Sequence, residues 1–400
     1  MFRNSKCFVI NQIKVKITFF LIFITLSANC FSQNDDKIVL GADQLNLFMD
    51  KLDGKRVALV ANHTSKIWSG NNNIHILDSL LSLDINITKV FSPEHGFRGT
   101  ADAGEKVKDG IDQKTGLPII SLHGKNKKPT DNQIKDIDII IFDIQDVGVR
   151  FYTYISTLHL VMESAAENNK KLIVLDRPNP NGHYVDGPVL EKKFKSFVGM
   201  HPVPIVYGMT IGEFSLMINN EGWLENNISC DLLVIPMKNY SRTKEYDLPI
   251  KPSPNLPNSK SINLYPSLCF FEQTPVSVGR GTKMQFQVFG NPDWQDLDFN
   301  FTPKSMEGAK YPKHENNVCF GFDLRKNPIE NQINLDWILI AYEKSNNKDS
   351  FFRSGFNKLA GNDKLQKQII EGLNGKEIKK SWKKGIKNFM LKRSKYLIYK

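Results

Sequence analysis

Cysteine is scarce in this chain: five residues in 400. Two of them, Cys7 and Cys30, fall in the first 32 residues, which leaves Cys230, Cys269 and Cys319 for the folded protein. Three widely spaced cysteines are not a disulfide framework, although one bridge can form in an oxidising compartment; the fold must stand on its apolar core. No Cys/His spacing suggests zinc, and His-Glu-x-x-His is absent. No Gly-x-Gly-x-x-Gly follows the first apolar strand and there is no Walker sequence, so no nucleotide cofactor is expected. Beyond the N-terminus no stretch is long and apolar enough for a transmembrane helix. Acids are outnumbered, 42 Asp and Glu against 53 Lys and Arg, giving a formal net charge of +11. With no zinc pattern and no aromatic-basic RNA signature, nucleic acid is not the expected partner. A solvated basic surface is the expected account of the charge, and an anionic glycan or wall polymer is the alternative.

Residues 1–32 read as an export signal. Lys14 and Lys16 precede the apolar run Ile17–Leu26, and small residues follow. Cleavage after Ser32 leaves Gln33 first. Leu26-Ser27-Ala28 ahead of Cys30 also fits a lipoprotein site, but Asn29 fits it poorly, so plain export, periplasmic or secreted, is the expectation. No stable membrane insertion is expected after signal removal, and the sequence leaves the oligomeric state open.

Beyond the signal, strand, polar loop and helix alternate. Arg56–Ala61, Ile87–Phe91, Pro118–Leu122, Ile137–Phe142, Leu172–Leu175 and Leu232–Ile235 are apolar runs with strand character. Ile74–Leu83, Ile155–Ala166 and Thr210–Asn220 have helical spacing. This predicts an α/β fold, a Rossmann-like, mostly parallel sheet with helices on both faces, over residues 37–245. A stretch rich in proline, serine and asparagine, residues 241–265, reads as an ordered loop between domains. Residues 246–400 then predict a smaller α+β domain, ending in a lysine-rich helix whose charges read as a solvated face.

Polar clusters recur at the ends of the apolar strands, the rim where open α/β sheets bind ligands. Glu94 and His95 follow one; Asp143, Gln145, Asp146 and Arg150 follow another; Asp176, Arg177 and Asn179 follow a third. Carboxylates gathered there can raise one another's pKa and divide acid and base roles. Glu94 has no evident structural task and is the first candidate for chemistry, with His95 orienting it. Asp143 and Asp176 either act in the site or cap turns. Arg98 and Arg150 either bind an anion or form surface ion pairs. Tyr152 and Tyr154 are either core or a platform for sugar rings. Glu213, three residues after Thr210, has the spacing of a capping box, a complete structural explanation that stands beside a catalytic one. Arg280, between Gly279 and Gly281, is either an exposed turn residue or a clamp for a carboxylate.

Taken together, Ser92-Pro93-Glu94-His95-Gly96, Asp143-Ile144-Gln145-Asp146-Val147-Gly148 with Arg150 to Tyr154, and Asp176-Arg177-Pro178-Asn179-Pro180 resemble one family. Gly208 to Glu213, Pro252 to Pro257 and Gly279 to Thr282 add to the match. The family is the exo-β-N-acetylmuramidases, and the resemblance spans nearly the whole mature chain. It implies a Rossmann-like catalytic domain with a C-terminal auxiliary domain. It also implies release of N-acetylmuramic acid from the non-reducing end of peptidoglycan fragments, without a cofactor or metal. Tyr207 is a departure, since the resemblance leads one to expect histidine before Gly-Met-Thr.

Such chemistry needs an acid at the leaving oxygen and usually a second carboxylate. Glu94 is the expected general acid/base. Glu213, Asp143, Asp146 or the substrate's own acetamido group are candidates for the second role. The lactyl carboxylate of muramic acid asks for arginine, with Arg280, Arg150 and Arg98 as candidates. His95, Asp143, Gln145, Asp146, Tyr152, Tyr154, Asp176, Arg177 and Asn179 complete the expected substrate-binding set. Two rival readings are a non-catalytic cell-wall glycan-binding protein and a metal-dependent hydrolase using Glu94, His95, Asp143, Asp146 and His123.

Overall fold

A computed structural model describes residues 37–69, 72–94, 96–97 and 109–400. The segment expected to be an export signal, with Cys30, lies outside the described residues, as do His95 and Arg98. Val39–Lys400 packs as one compact unit.

The strands are β1 (Val57–Ala61), a hairpin of β2 (Lys66–Ser69) and β3 (Asn72–His75), β4 (Ile87–Ser92), β5 (Gly110–Ile111), β6 (Pro118–Ser121), β7 (Ile139–Asp143), β8 (Lys171–Leu175) and β9 (Asp231–Ile235). Seven of them form one sheet in the order β5-β6-β4-β1-β7-β8-β9. All neighbours in it are parallel except β5 and β6. With β5 set aside, this is the doubly wound order, whose direction of travel reverses between β1 and β7. Val57 pairs with Ile139 and Ala61 with Asp143, so these two strands end level.

The pleat explains why the central strands are apolar throughout. Ala58 and Val60 of β1 face one core with Ile140, Phe142, Leu172 and Val174. Val57, Leu59 and Ala61 face the other with Ile139, Ile141, Ile173 and Leu175. Helices Tyr154–Glu167 and Ile211–Asn220 cover the first face, and helix Ile76–Ser82 covers the second. A parallel sheet buried on both sides requires such runs.

The expected helix over Ile74–Leu83 begins later, because residues up to His75 are spent on the hairpin and His75 caps the helix through Leu77 N. The expected interdomain loop ends early as well. Asn258 accepts from Ser261 N and starts helix Ser259–Leu268, despite Pro266 within it. The C-terminal part carries a small antiparallel sheet, β10 (Val288–Asn291), β11 (Asn300–Phe301) and β12 (Cys319–Asp323), in the order β10-β12-β11. Its last helix, Gly375–Arg393, buries Ile378, Trp382 and Phe389 and leaves most of its lysines exposed, as the spacing predicts. Cys230, Cys269 and Cys319 are all free and buried. Among the described residues, no helix is long and apolar enough to cross a membrane.

Candidate active site

The turn after β4 delivers Glu94. Gly96 takes φ 76° and donates to Pro93 O at 3.1 Å, a left-handed conformation that costs glycine little. Thr153 Oγ1 donates to Glu94 Oε2 at 3.1 Å, and Tyr154 OH donates to the Glu94 carbonyl at 3.4 Å. Asn62 Nδ2, just beyond β1, donates to Tyr154 OH at 2.9 Å. The segments following β1, β4 and β7 are thereby tied together at the point where the sheet order reverses, the place such sheets offer to ligands.

A cavity of about 220 Å³ opens beside this junction. Glu94, Thr153 and an aromatic wall of Phe151, Tyr152 and Tyr154 line one side. Tyr152 and Tyr154 meet edge to face at 4.9 Å, and Tyr152 OH donates to Pro252 O at 2.7 Å. Ser253 and Asn255 line it too, and Tyr265, Cys269, Glu272, Arg280 and Phe286 come from the C-terminal part. Helix Ser259–Leu268 and the tight turn Cys269–Gln273 that continues it place Tyr265 and Glu272.

Arg280 sits between Gly279 and Gly281, at φ 75° and 79°. A Cβ at either glycine would stand 2.7 Å from Met284 O or 2.6 Å from Lys304 O, so only glycine lets the loop close around the arginine. The guanidinium lies 5.0 Å over the Phe286 ring, and Nε donates to Glu272 Oε1 at 3.1 Å. Lys313 Nζ donates to the carbonyls of Phe271, Glu272, Thr274 and Val276 at 2.6–3.3 Å. Burial lowers the Lys313 pKa to about 8. Burial pushes the Glu272 carboxyl up, but Arg280 and Lys313 outweigh it and hold it below its ordinary value.

The other nominated residues among those described are absent from the cavity lining and are bound within the protein. Asp143 makes a two-pronged pair with Arg177, at 2.5 Å to Nε and 2.8 Å to Nη2. Asp176 accepts from Arg177 N, Gly212 N, Thr210 Oγ1 and Tyr399 OH at 2.6–3.0 Å. Asn179 Nδ2 donates to Met209 O, and Gln145 Nε2 donates to Asp146 O and Pro178 O. Asp146 Oδ2 accepts from Gly148 N at 2.7 Å and from the hydroxyl of Tyr207. Tyr207 is fully buried, so in this structure the residue that departs from expectation braces Asp146 and is no part of the cavity wall. Asp146 and Asp176 are both raised to about 6, and the leading cause is burial rather than the mutual repulsion of gathered carboxylates.

Arg150 is wholly buried and donates to four carbonyls, those of Pro188, Val203, Leu359 and Ala360, at 2.7–2.9 Å. Both of its Nη groups are spent on the backbone. Burial lowers its pKa to about 9. Glu213 completes the capping box with Thr210, pairs with Arg242 and accepts from Ile398 N and Tyr399 N. Of the nominated residues, Glu94, Tyr152, Tyr154 and Arg280 therefore share the cavity. Glu272, Tyr265 and Asn255 line it as well and were not foreseen. An acid closing the aromatic run Cys269-Phe270-Phe271-Glu272 was the available signal, since a charge in such a run needs a partner.

Among the described residues, Glu163, Glu167 and Glu225 lie close enough together to hold a cation. Lys128 Nζ already bonds Glu163 and Glu167, both at 2.7 Å. Of the set read from sequence, Glu94, Asp143, Asp146 and His123 form no such group among the described residues, Asp143 being taken by Arg177, and His95 lies outside them.

Residues 57–260 match the family described as Exo-beta-N-acetylmuramidase NamZ, N-terminal, and residues 263–399 match its C-terminal counterpart. The chain is 38% identical to the peptidoglycan beta-N-acetylmuramidase NamZ of Bacillus subtilis, covering 91% of this chain and 92% of that protein. Two crystal structures of DUF1343 family proteins from Bacteroides fragilis superpose on it. One has a TM-score of 0.84 at 48% identity and the other 0.77 at 30%, each covering 91% of this chain and 99% of its own. Matched over nearly its full described length and by both halves of the family description, this chain belongs to the exo-β-N-acetylmuramidase family.

Proposed function

We propose that this protein is a glycoside hydrolase that releases N-acetylmuramic acid from the non-reducing end of peptidoglycan fragments, with Glu94 as general acid/base. Family membership supports the reaction class. The observation that carries the site is the placing of the Glu94 carboxyl, held by Thr153, on the wall of the cavity where the sheet reverses. At about 220 Å³ the cavity is smaller than the roughly 300–1,000 Å³ of sites for drug-sized ligands. It suits a single sugar unit, and so removal of one terminal residue at a time. The aromatic wall offers the apolar faces that a sugar ring packs against.

Arg280 is the candidate for the lactyl carboxylate. Of the arginines nominated from sequence, Arg150 has its Nη groups committed to carbonyls, Arg177 is paired with Asp143, and Arg98 lies outside the described residues. Arg280 lines the cavity, and among the described residues its hydrogen bonding engages Nε alone. For the second catalytic role, Glu213, Asp143 and Asp146 are absent from the cavity lining, and Glu272, which lines it, is paired with Arg280, which favours the substrate's own acetamido group. The leader segment supports export; sequencing the N-terminus of the protein recovered outside the cytoplasm tests it.

The deciding experiment offers a short wall-derived glycan and a chromogenic N-acetylmuramide to the wild type and to Glu94→Gln. Free N-acetylmuramic acid as the first product, lost in the variant while affinity for the glycan is kept, is the expected result. No product from the wild type favours a non-catalytic glycan-binding protein. Products cut from the chain interior would overturn the exo assignment.

A further inference from the structure

Arg280 offers three kinds of donor, and the structure commits one of them. Nε is held by Glu272 Oε1 at 3.1 Å, and the guanidinium lies against Phe286. Nη1 and Nη2, the parallel pair that matches the two oxygens of a carboxylate, have no partner among the described residues. Glu272 is itself fixed from behind. Its carbonyl and those of Phe271, Thr274 and Val276 converge on the Lys313 ammonium. His314 Nε2 bonds Pro275 O at 2.6 Å, and Arg353 N donates to Gln273 O at 2.9 Å. The turn bearing Glu272 is therefore pinned from several sides. The charges that line the cavity on this wall are Arg280 and Glu272, and Lys313 and Arg353 act on Glu272 from outside the lining.

We propose that Glu272 is a positioning residue for substrate recognition: by holding Nε it fixes Arg280 with its Nη pair available to a carboxylate on the sugar. This rests on the reading of Arg280 as the clamp for the lactyl group. Glu272 acts in two opposite senses. Its position orders the long arginine side chain, which otherwise loses rotamer freedom when the ligand binds. Its negative charge opposes the incoming carboxylate. The two effects separate in variants: Glu272→Gln keeps an acceptor for Nε and removes the charge, whereas Glu272→Ala removes both.

The test measures inhibition of the full mature protein by N-acetylmuramic acid and by its uncharged lactyl amide, the ratio of the two constants giving the discrimination for the carboxylate. Glu272→Ala should reduce that ratio about tenfold while affinity for the amide stays within about threefold, a selectivity that general loosening of the wall would not produce. Glu272→Gln should keep the ratio or raise it. Should Glu272→Ala fail to fold, Glu272→Asp, which keeps the charge but draws back from Nε, should reduce the ratio as the alanine does. Arg280→Ala is the control for the underlying reading. If it abolishes discrimination while every Glu272 variant leaves it intact, the positioning role is wrong and the clamp stands. If Arg280→Ala leaves discrimination unchanged, the clamp itself is wrong, and the proposal falls with it.

Discussion

Glu213 and Arg242 form a two-pronged ion pair inside the protein, Oε1 lying 2.5 Å from Nη2 and Oε2 2.9 Å from Nη1. The same carboxylate accepts from Thr210 N, Ile398 N and Tyr399 N. Five donors on one buried carboxyl leave it neither an open lone pair nor access to a sugar. Glu213 ties the start of helix Ile211–Asn220 to the last residues of the chain.

Removing one member of this pair should strand the other's charge in the interior. Glu213→Ala or Arg242→Ala is expected to lower stability by about 3–5 kcal/mol, measured by denaturant unfolding. Activity per folded molecule should stay close to wild type for Glu213→Gln. A Glu213→Gln protein of normal stability with turnover lost would return this residue to the chemistry.

Glu94→Gln is expected to behave in the opposite way. Its carboxyl meets Thr153 at the cavity wall, and the amide can keep that bond. Stability should hardly change, while kcat on an N-acetylmuramide falls about a hundred- to ten-thousand-fold, the usual range for a general acid. A loss below tenfold would argue for another acid.

Arg150→Ala should act on folding. Four carbonyls lose their donors at once, and each buried unsatisfied group costs about 1–3 kcal/mol. A clear fall in Tm is expected, with N-acetylmuramic acid binding per folded molecule retained. Weakened binding at an unchanged Tm would contradict this placement.

Asp146 and Asp176, both raised to about 6 by burial, set a pH dependence with a definite sign. A carboxyl whose pKa is higher folded than unfolded binds its proton more tightly in the native state. Its contribution is complete below about pH 4 and declines as pH climbs through 6. A rise from the ordinary aspartate range to about 6 corresponds to about 3 kcal/mol for each group. The stability advantage of wild type over Asp146→Asn or Asp176→Asn should therefore shrink by about that amount between pH 4 and pH 7. An advantage that grows across this interval would mean that these carboxyls are stabilised as anions.

The sheet was legible in the sequence because a strand buried on both faces must be apolar at every position, and Ile139–Phe142 or Leu172–Leu175 have no other simple reading. The place of Glu94 beside the cavity was legible from its address, following a strand with no cap to make. The rest of the polar rim was overread. Asp143, Arg177, Asp176, Asn179 and Arg150 sit where ligands bind in such sheets, yet a sequence does not reveal whether a charge is offered to a ligand or consumed by a neighbour distant in the chain. Arg150 meets Ala360 across 210 positions, and Glu213 meets Tyr399 across 186. Glu272 was missed for the complementary reason: aromatic neighbours give it the look of a core segment, and its partner Arg280 arrives by a separate loop.

Arg150 has one more consequence, because Pro188 and Val203 lie in the part bearing the parallel sheet and Leu359 and Ala360 in the part bearing the small antiparallel one. On the cavity wall itself, Phe151 and Tyr152 meet Tyr265 of the C-terminal part edge to face. The two flanks of the slot are thus set at folding and are not brought together by the glycan. Affinity need not be spent on drawing jaws shut at each turnover, which is the advantage of a preorganised enzyme.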